Sequence, residues 1–267
     1  FFKDWYMFEY WNESLDRIKK IEALKKAWVI VYANNYHGKT NISLITDQKD
    51  KIKEVDDLMN GEVVWEFKTA WRLMSSRWMW KLLFGKLRDN TWDIQICFSK
   101  DKVIFNTWNE LVEKIILDEE EKSAFKIAEK FCQVWDYVWV VWDLFLTKHW
   151  ELTIFVKEFQ ILSKAIRPLP EKFHWVQDIE TIYRQRYLDL IMNEDSYTRF
   201  KLRSKFIKTL RDFYHNNEFI EIETPVLGNA ASWAAAAPFI THHNDFDEQF
   251  FLRISPETFL KRATVGR

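Results

Sequence analysis

The sequence predicts a mixed α+β chain in two parts, a five-stranded β-barrel followed by the beginning of an antiparallel α/β domain. Three observations carry that expectation. Between residues 61 and 165, segments of extended-chain chemistry come in the order three strands, helix, two strands. A connector with two prolines, RPLPEKFH at 167–174, follows and has no core of its own. Beyond it an apolar stripe at helical spacing (Phe200, Ile207, Leu210, Tyr214) runs into FIEIETPVL at 219–227, which ends near a proline.

In chain order, NESLDRIKKIEALKKA at 12–27 places Leu15, Ile18, Ile21 and Leu24 at every third residue between charges, a surface helix with Ser14 as its cap. EVVWEFKTAWRLM, KLLFGKLRD and DIQICF are bounded by charged or small residues and read as three consecutive antiparallel strands. Residues 107–132 return to helical periodicity through Leu111, Ile115, Ile116, Phe125, Ala128 and Phe131, with an acidic run at 118–121. DYVWVVWDLFLT and ELTIFVKEFQIL, within 136–162, are two further strands. This order is that of an OB-fold barrel, which binds oligonucleotides on its central strands. The predicted division is 1–60 as an N-terminal helical extension, 61–165 as the barrel, 166–183 as linker and 184–267 as the second domain.

The 267 residues suffice for about two domains. Lys+Arg 39 against Asp+Glu 40 leaves no global basic field, so any nucleic-acid contact must be local. Residues 61–105 do carry eight cations against five anions. Cys97 and Cys132 lack the spacing of a zinc site or a disulfide framework and read as reduced thiols. His242 and His243, adjacent on a strand, point to opposite faces and do not chelate one ion, so no metal site is expected among these residues. With no membrane-length apolar run and no signal peptide, the expected location is cytoplasmic. The chain does not begin with methionine and stops directly after SPETFLKRATVG, so both ends read as cut.

A base-reading face needs an aromatic ring, an amide and a cation on neighbouring strands, because unstacked bases lie on rings and are read at their edges. Phe84 and Gln95 supply the ring and the amide, with Arg72 and Arg77 on the preceding strand. In the second part Glu257 stands at the start of a helix after Ser255 and Pro256, where a carboxylate complements the helix dipole and can meet a cationic ligand.

The helix with FIEIETPVL resembles motif 1 of the class II aminoacyl-tRNA synthetases. RYLDL at 186–190, PFITHHN at 238–244 and SPETFLKR at 255–262 resemble the lysyl-tRNA synthetases in particular. The resemblance runs from about residue 12 to the end. It implies a class II catalytic domain begun at 184 and a lysine–tRNA ligase: lysine attacks ATP to give lysyl-adenylate, and the lysyl group passes to tRNA(Lys). Such chemistry rests on arginine and magnesium clamping of phosphate. The arginines that the family uses in motifs 2 and 3, and the Mg2+ ligands, would fall beyond Arg267, so no catalytic residue is assigned and the chain alone is expected to be inactive. By the same resemblance Phe84 stacks on an anticodon base, Gln95 reads an edge, an arginine (Arg72 or Arg77) binds nearby and Glu158 completes the pocket. Glu257 binds lysine, and Ser232 and Trp233 line that pocket where the family usually has two glycines. Ala237 stands where the family commonly has arginine or lysine. Pro225 matches the proline of the homodimer interface. Two rivals are an aspartyl- or asparaginyl-tRNA synthetase, against which PFITHHN and RPLPEKFH argue, and a non-enzymatic tRNA-binding module.

The chain has 15 tryptophans and 5 glycines, together 20, against about 19 glycines expected at ordinary usage. Trp28, Trp71, Trp80, Trp92, Trp135, Trp139, Trp142, Trp150, Trp175 and Trp233 fall where the resembling family has glycine. One cause covers all ten: UGA codons read as glycine by the cell and rendered here as tryptophan. No tryptophan is therefore assigned a base-stacking role.

Overall fold

The computed structural model describes residues 2–36, 38–47, 67–147, 151–167, 169, 178–231 and 236–266. The chain divides into two compact units, Phe1–Glu171 and Lys172–Arg267. No helix among the described residues is long and apolar enough to cross a membrane.

The first unit opens with helix α1 (Phe2–Lys26), which buries Ile21, Ala23 and Leu24, and a short α2 (Ile42–Thr46), which buries Ile42 and Ile45. Ser14 lies inside α1 and does not cap it: the helix begins well before the stretch whose periodicity announced it. The strands follow as β1 (Phe67–Met79), β2 (Leu82–Arg88) and β3 (Asp93–Ser99), then β4 (Ile104–Asn106), β5 (Leu111–Val112), β6 (Lys114–Leu117) and β7 (Glu120–Ser123). Helix α3 (Ala124–Lys130) comes next, then β8 (Tyr137–Leu146) and β9 (Leu152–Ser163).

The large sheet is mostly antiparallel, ordered β3-β2-β1-β8-β9-β4-β5, and β3 also pairs in parallel with β9. Its inward residues alternate along each strand as the two-residue period of a pleated chain demands: Leu83 and Leu87, Ile94, Ile96 and Phe98, Val138 and Val140, Ile154 and Val156, then Phe159 and Ile161. Gly85 sits on the inward face between Leu83 and Leu87. A Cβ there would lie 3.0 Å from Leu73 Cδ1 and 3.1 Å from both Ile96 Cγ1 and the Ser75 carbonyl oxygen, so only glycine lets β1, β2 and β3 approach this closely.

The helix expected over 107–132 is confined to α3. Residues 114–123 form the hairpin β6–β7, whose two loop residues, Asp118 and Glu119, both take positive φ, as a type I′ turn requires. The acidic run belongs to this turn and its second strand. Glu121 accepts from Lys114 at 2.9 Å and Glu120 from Lys122 at 2.6 Å, so charges that fit a solvated helix face equally fit a hairpin edge. Ser123 then caps α3, accepting from Lys126 N at 3.3 Å.

A buried ionic cluster ties α1 to the strand ends. Lys164 and Asp136 are paired with no exposed side-chain surface, and Lys164 also donates to the Phe131 carbonyl. Asp136 accepts in addition from Gln133 N at 2.7 Å and Ala165 N at 2.9 Å. Arg17 of α1 donates to the carbonyls of Val134, at 3.2 Å, and Ala165, at 3.0 Å. Every charge here has a partner, the condition under which a buried ion is tolerated.

The second unit contains α4 (Ile179–Arg184), α5 (Arg186–Met192), α6 (Glu194–Asn216), the strands β10 (Leu227–Gly228), β11 (Ile240–His243) and β12 (Glu248–Leu252), and α7 (Glu257–Gly266). The three strands form a small sheet in the order β10-β12-β11. The strand expected over 219–227 is reduced to β10: residues 219–226 enter no ladder, and Ile220 is 85% exposed. Extended-chain side chains favour a strand only where a neighbour offers hydrogen bonds, and Pro225 has no N–H to donate.

Candidate functional site

The outward faces of β1, β2, β3 and β9 bring together most of the residues expected to read nucleic acid. Arg77 pairs across the β1–β2 ladder with Phe84, and Phe84 across β2–β3 with Cys97. Gln95 lies opposite Lys86, one pleat from Phe84 on the same face, and opposite Thr153 of β9. Its amide Nε2 donates to Thr153 Oγ1 at 2.9 Å, which fixes the amide plane on the sheet. Phe84 is half-buried against Phe155, Phe145 and Cys97, so the cluster grips the base of its ring. Arg77 is exposed beside it. Ring, amide and cation thus stand on three adjacent strands.

Arg72 lies further along β1 on the same face and is occupied. Its guanidinium sits 4.8 Å from the Tyr137 ring and donates to the Tyr137 hydroxyl at 2.6 Å. Its cross-strand neighbour Arg88 forms a two-point pair with Asp93, at 2.6 and 2.9 Å. Burial pushes the Asp93 carboxyl up, but the bonds and charges of Arg88 and Lys86 outweigh it and hold the group below the usual carboxylate range. Glu158 is five residues beyond Thr153 on β9, about 16 Å at strand rise. It accepts from Asn106 Nδ2 at 2.6 Å. The structure therefore groups Phe84, Gln95 and Arg77, sets Arg72 at one end of the face and places Glu158 apart, at the β4 junction.

The loop from β2 to β3 is built on Asp89, which sequence reading did not single out. One carboxylate oxygen accepts from Thr91 N at 2.7 Å, Thr91 Oγ1 at 2.6 Å and Trp92 N at 2.9 Å. The other accepts from Ile42 N at 2.9 Å and so docks α2. Burial raises its pKa and these four donors lower it by more, so the net shift is downward. A DxT spacing after a strand is the available signal. Cys97 and Cys132 are both buried and free, each pushed up to about 12 chiefly by burial, so neither is a nucleophile at neutral pH.

In the second unit Glu257 opens α7. Its carboxylate is exposed and accepts from Lys261 Nζ, one turn on, at 2.7 Å, and that bond holds its pKa below the ordinary glutamate value. The group is ionised at neutral pH and already holds an ammonium. Arg253, also missed from sequence, donates to the carbonyls of Thr224 and Pro225 and to Thr224 Oγ1, pinning the turn that carries Pro225; Pro225 itself is exposed. In RYLDL the working residue is Asp189, which accepts from Arg186 at 2.7 Å, Asn193 at 2.6 Å and Ser196 at 2.9 Å, locking the bend between α5 and α6. His243 packs on Phe246 and Phe250, while His242 lies 3.2 Å from Asp247. Ser232 and Trp233 fall outside the described residues; Ala237 is exposed.

Comparison with known proteins bears on both units. Residues 178–267 match the family model of the tRNA synthetases class II (D, K and N). A lysine–tRNA ligase of Magnetococcus marinus is 39% identical over 247 residues, 92% of this chain and 45% of the relative. One from Thermosipho melanesiensis is 38% identical over 94% of this chain and 46% of its own. One from Aquifex aeolicus is 43% identical over 74% of this chain and 30% of its own. The chain spans about half the length, or less, of the curated relatives it matches. These likenesses meet in the second unit, and residues 178–267 carry the domain of the class II tRNA synthetases of the D, K and N group.

Proposed function

We propose that this chain supplies the tRNA-reading domain and the first part of the amino-acid-activating domain of a lysine–tRNA ligase, an enzyme of the cytoplasm. The observation that carries the reading is the grouping of Phe84, Gln95 and Arg77 on adjacent strands of one outward face. The first unit is read as an OB-fold barrel, because the pairings run from β1 through β2, β3, β9 and β8 back to β1 and so leave no free edge among these five strands. An anticodon base of tRNA(Lys) stacks on the exposed surface of Phe84. Gln95, its amide fixed by Thr153, reads a base edge, while Arg77 meets backbone phosphate. Arg72 bounds the face at one end, and Glu158 lies beyond the other, at the β4 junction.

In the second unit Glu257 recognises the substrate ammonium. Its ionised carboxylate already accepts from an alkylammonium, that of Lys261, which stands in for lysine. Binding exchanges one ammonium for the other. ATP is the co-substrate and magnesium would neutralise its phosphates. Among the described residues no three His, Cys, Asp or Glu side chains gather as a metal site. Helix α6 and the turn carrying Pro225 form a homodimer interface, supported by the exposed row Phe206, Phe213, Phe219 and Ile220.

The test is aminoacylation by the complete protein. It should charge tRNA(Lys) with lysine and leave aspartate and asparagine uncharged, and Glu257→Gln should raise the KM for lysine at least about tenfold, the scale of losing a charged hydrogen bond. Charging with aspartate, or an unchanged KM, overturns the reading.

A further inference from the structure

The backbone singles out four tryptophans. Among the described residues, eight non-glycine residues have positive φ, and four of them are tryptophan: Trp28 (φ 60°), Trp80 (55°), Trp108 (84°) and Trp135 (82°). Of the described glycines only Gly38 shares that region. Left-handed backbone is the province of glycine, and of Asn or Asp after it, because a Cβ collides with the neighbouring carbonyl; for a bulky residue it is an outlier.

Each local structure has its own reason to want glycine. Trp28 follows α1, with Trp28 N donating to the Lys25 carbonyl at 3.0 Å and Val29 N to the Leu24 carbonyl at 3.0 Å. That pair of bonds is the Schellman motif, and Trp28 occupies the position just past the helix that glycine fills. Trp80 is the first residue of the two-residue loop between β1 and β2, and its partner Lys81 does not share the positive φ. This is the sign pattern of a type II′ turn, whose first central position takes glycine. Trp135 is buried where its N–H donates to the Leu73 carbonyl at 2.7 Å, while Leu73 N donates to the Asp136 carbonyl at 2.8 Å, a close approach of two backbones. Trp108 bends the 107–110 loop, with its N–H on Asn106 Oδ1 at 2.8 Å. The indoles of Trp28 and Trp80 meanwhile lie in solvent, 83% and 80% exposed, so no burial offsets the strain.

Trp139 is the contrast. It sits within β8, buried against Ala70, Val141 and Leu162, its indole donating to the Gly38 carbonyl at 3.2 Å, and its φ is not positive. The backbone makes no demand for glycine there, so the glycine that the resemblance implies at 139 gains no support from conformation.

We propose that positions 28, 80, 108 and 135 are glycine in the protein that the cell makes. The assignment stands on backbone conformation and is independent of the functional reading. At Trp108 it goes beyond the positions where likeness to a family places glycine. Two measurements test it. Peptide mass spectrometry of the protein isolated from its own cells should give glycine-mass peptides at all four positions, and the gene should carry UGA codons there; tryptophan-mass peptides or UGG codons at any of the four overturn the assignment. In recombinant protein, Trp28→Gly and Trp80→Gly should each raise the unfolding midpoint of the first unit by about 2–8 °C. Trp139→Gly should lower it. Midpoints that fall for Trp28→Gly and Trp80→Gly overturn the idea.

Discussion

In the first unit Leu87, Ile96, Phe105, Ile154 and Phe159 are enclosed by a sheet and three helices, whereas in the second Phe206, Phe213, Phe219 and Ile220 lie open to solvent. Among its described residues the second unit buries only Asp189 and Ser196, both polar. The first unit holds itself together. The second is held locally by hydrogen-bonded joints, the Asp189 bend and the Arg253 clamp, and presents its apolar residues outward. The outward face of the first unit is therefore preformed on a packed core, while α6 presents its apolar residues to solvent.

The largest expected effect breaks the self-sufficiency of the first unit. Lys164→Met removes the cation bonded to the buried Asp136 carboxylate, leaving it only Arg17 at 3.9 Å, and should cost about 3–5 kcal/mol, read by urea titration of the first unit. No substitution of a single side chain in the second unit should cost that unit as much. A loss below about 1 kcal/mol would mean that the pair is not the lock that the geometry describes.

The next effect falls on the second unit alone. Phe206→Ser with Phe213→Ser should convert the complete protein from dimer to monomer in sedimentation at micromolar concentration, with the first unit's melting unchanged. If the unaltered protein is itself monomeric, the exposed row is not the interface.

The smallest effect concerns acid. Asp89 has a folded-state pKa below its unfolded value of about 3.9, so the stability it contributes is present above that value and is lost as the pH falls through the folded one. Hydrogen exchange between pH 5 and 3 should show the β2–β3 loop and α2 loosening first. Asp89→Asn should flatten that dependence, and a loop equally acid-sensitive in the variant would assign the effect elsewhere.

The contrast between the units also marks what the sequence discloses. Strands β2 and β3 are legible because the inward Leu83, Leu87, Ile94 and Ile96 alternate, and β1, β8 and β9 because their extended-chain runs are bounded by charged or small residues. The grouping of Phe84 with Gln95 follows from the same parity. Residues 114–123 misled, because charges at 118–121 suit a helix face and a type I′ hairpin alike, and only the backbone at Asp118 and Glu119 decides. Residues 219–226 misled for the opposite reason: their side chains favour a strand, but a strand is defined by a partner that periodicity cannot reveal. Arg72 and Glu158 show the same limit at the site. Tyr137 and Asn106, which hold them, are 65 and 52 residues away in the chain.

The central question for the first unit is whether Phe84 reads an anticodon base. Fluorescence anisotropy of a labelled tRNA(Lys) anticodon stem-loop, titrated with this chain, tests it directly. Phe84→Ala should weaken binding ten- to a hundredfold, the equivalent of about 1–3 kcal/mol for one stacked base. Replacing the anticodon bases while keeping the stem should weaken it by a similar factor. Unchanged affinity for Phe84→Ala, or equal affinity for both stem-loops, would mean that this face does not read the anticodon.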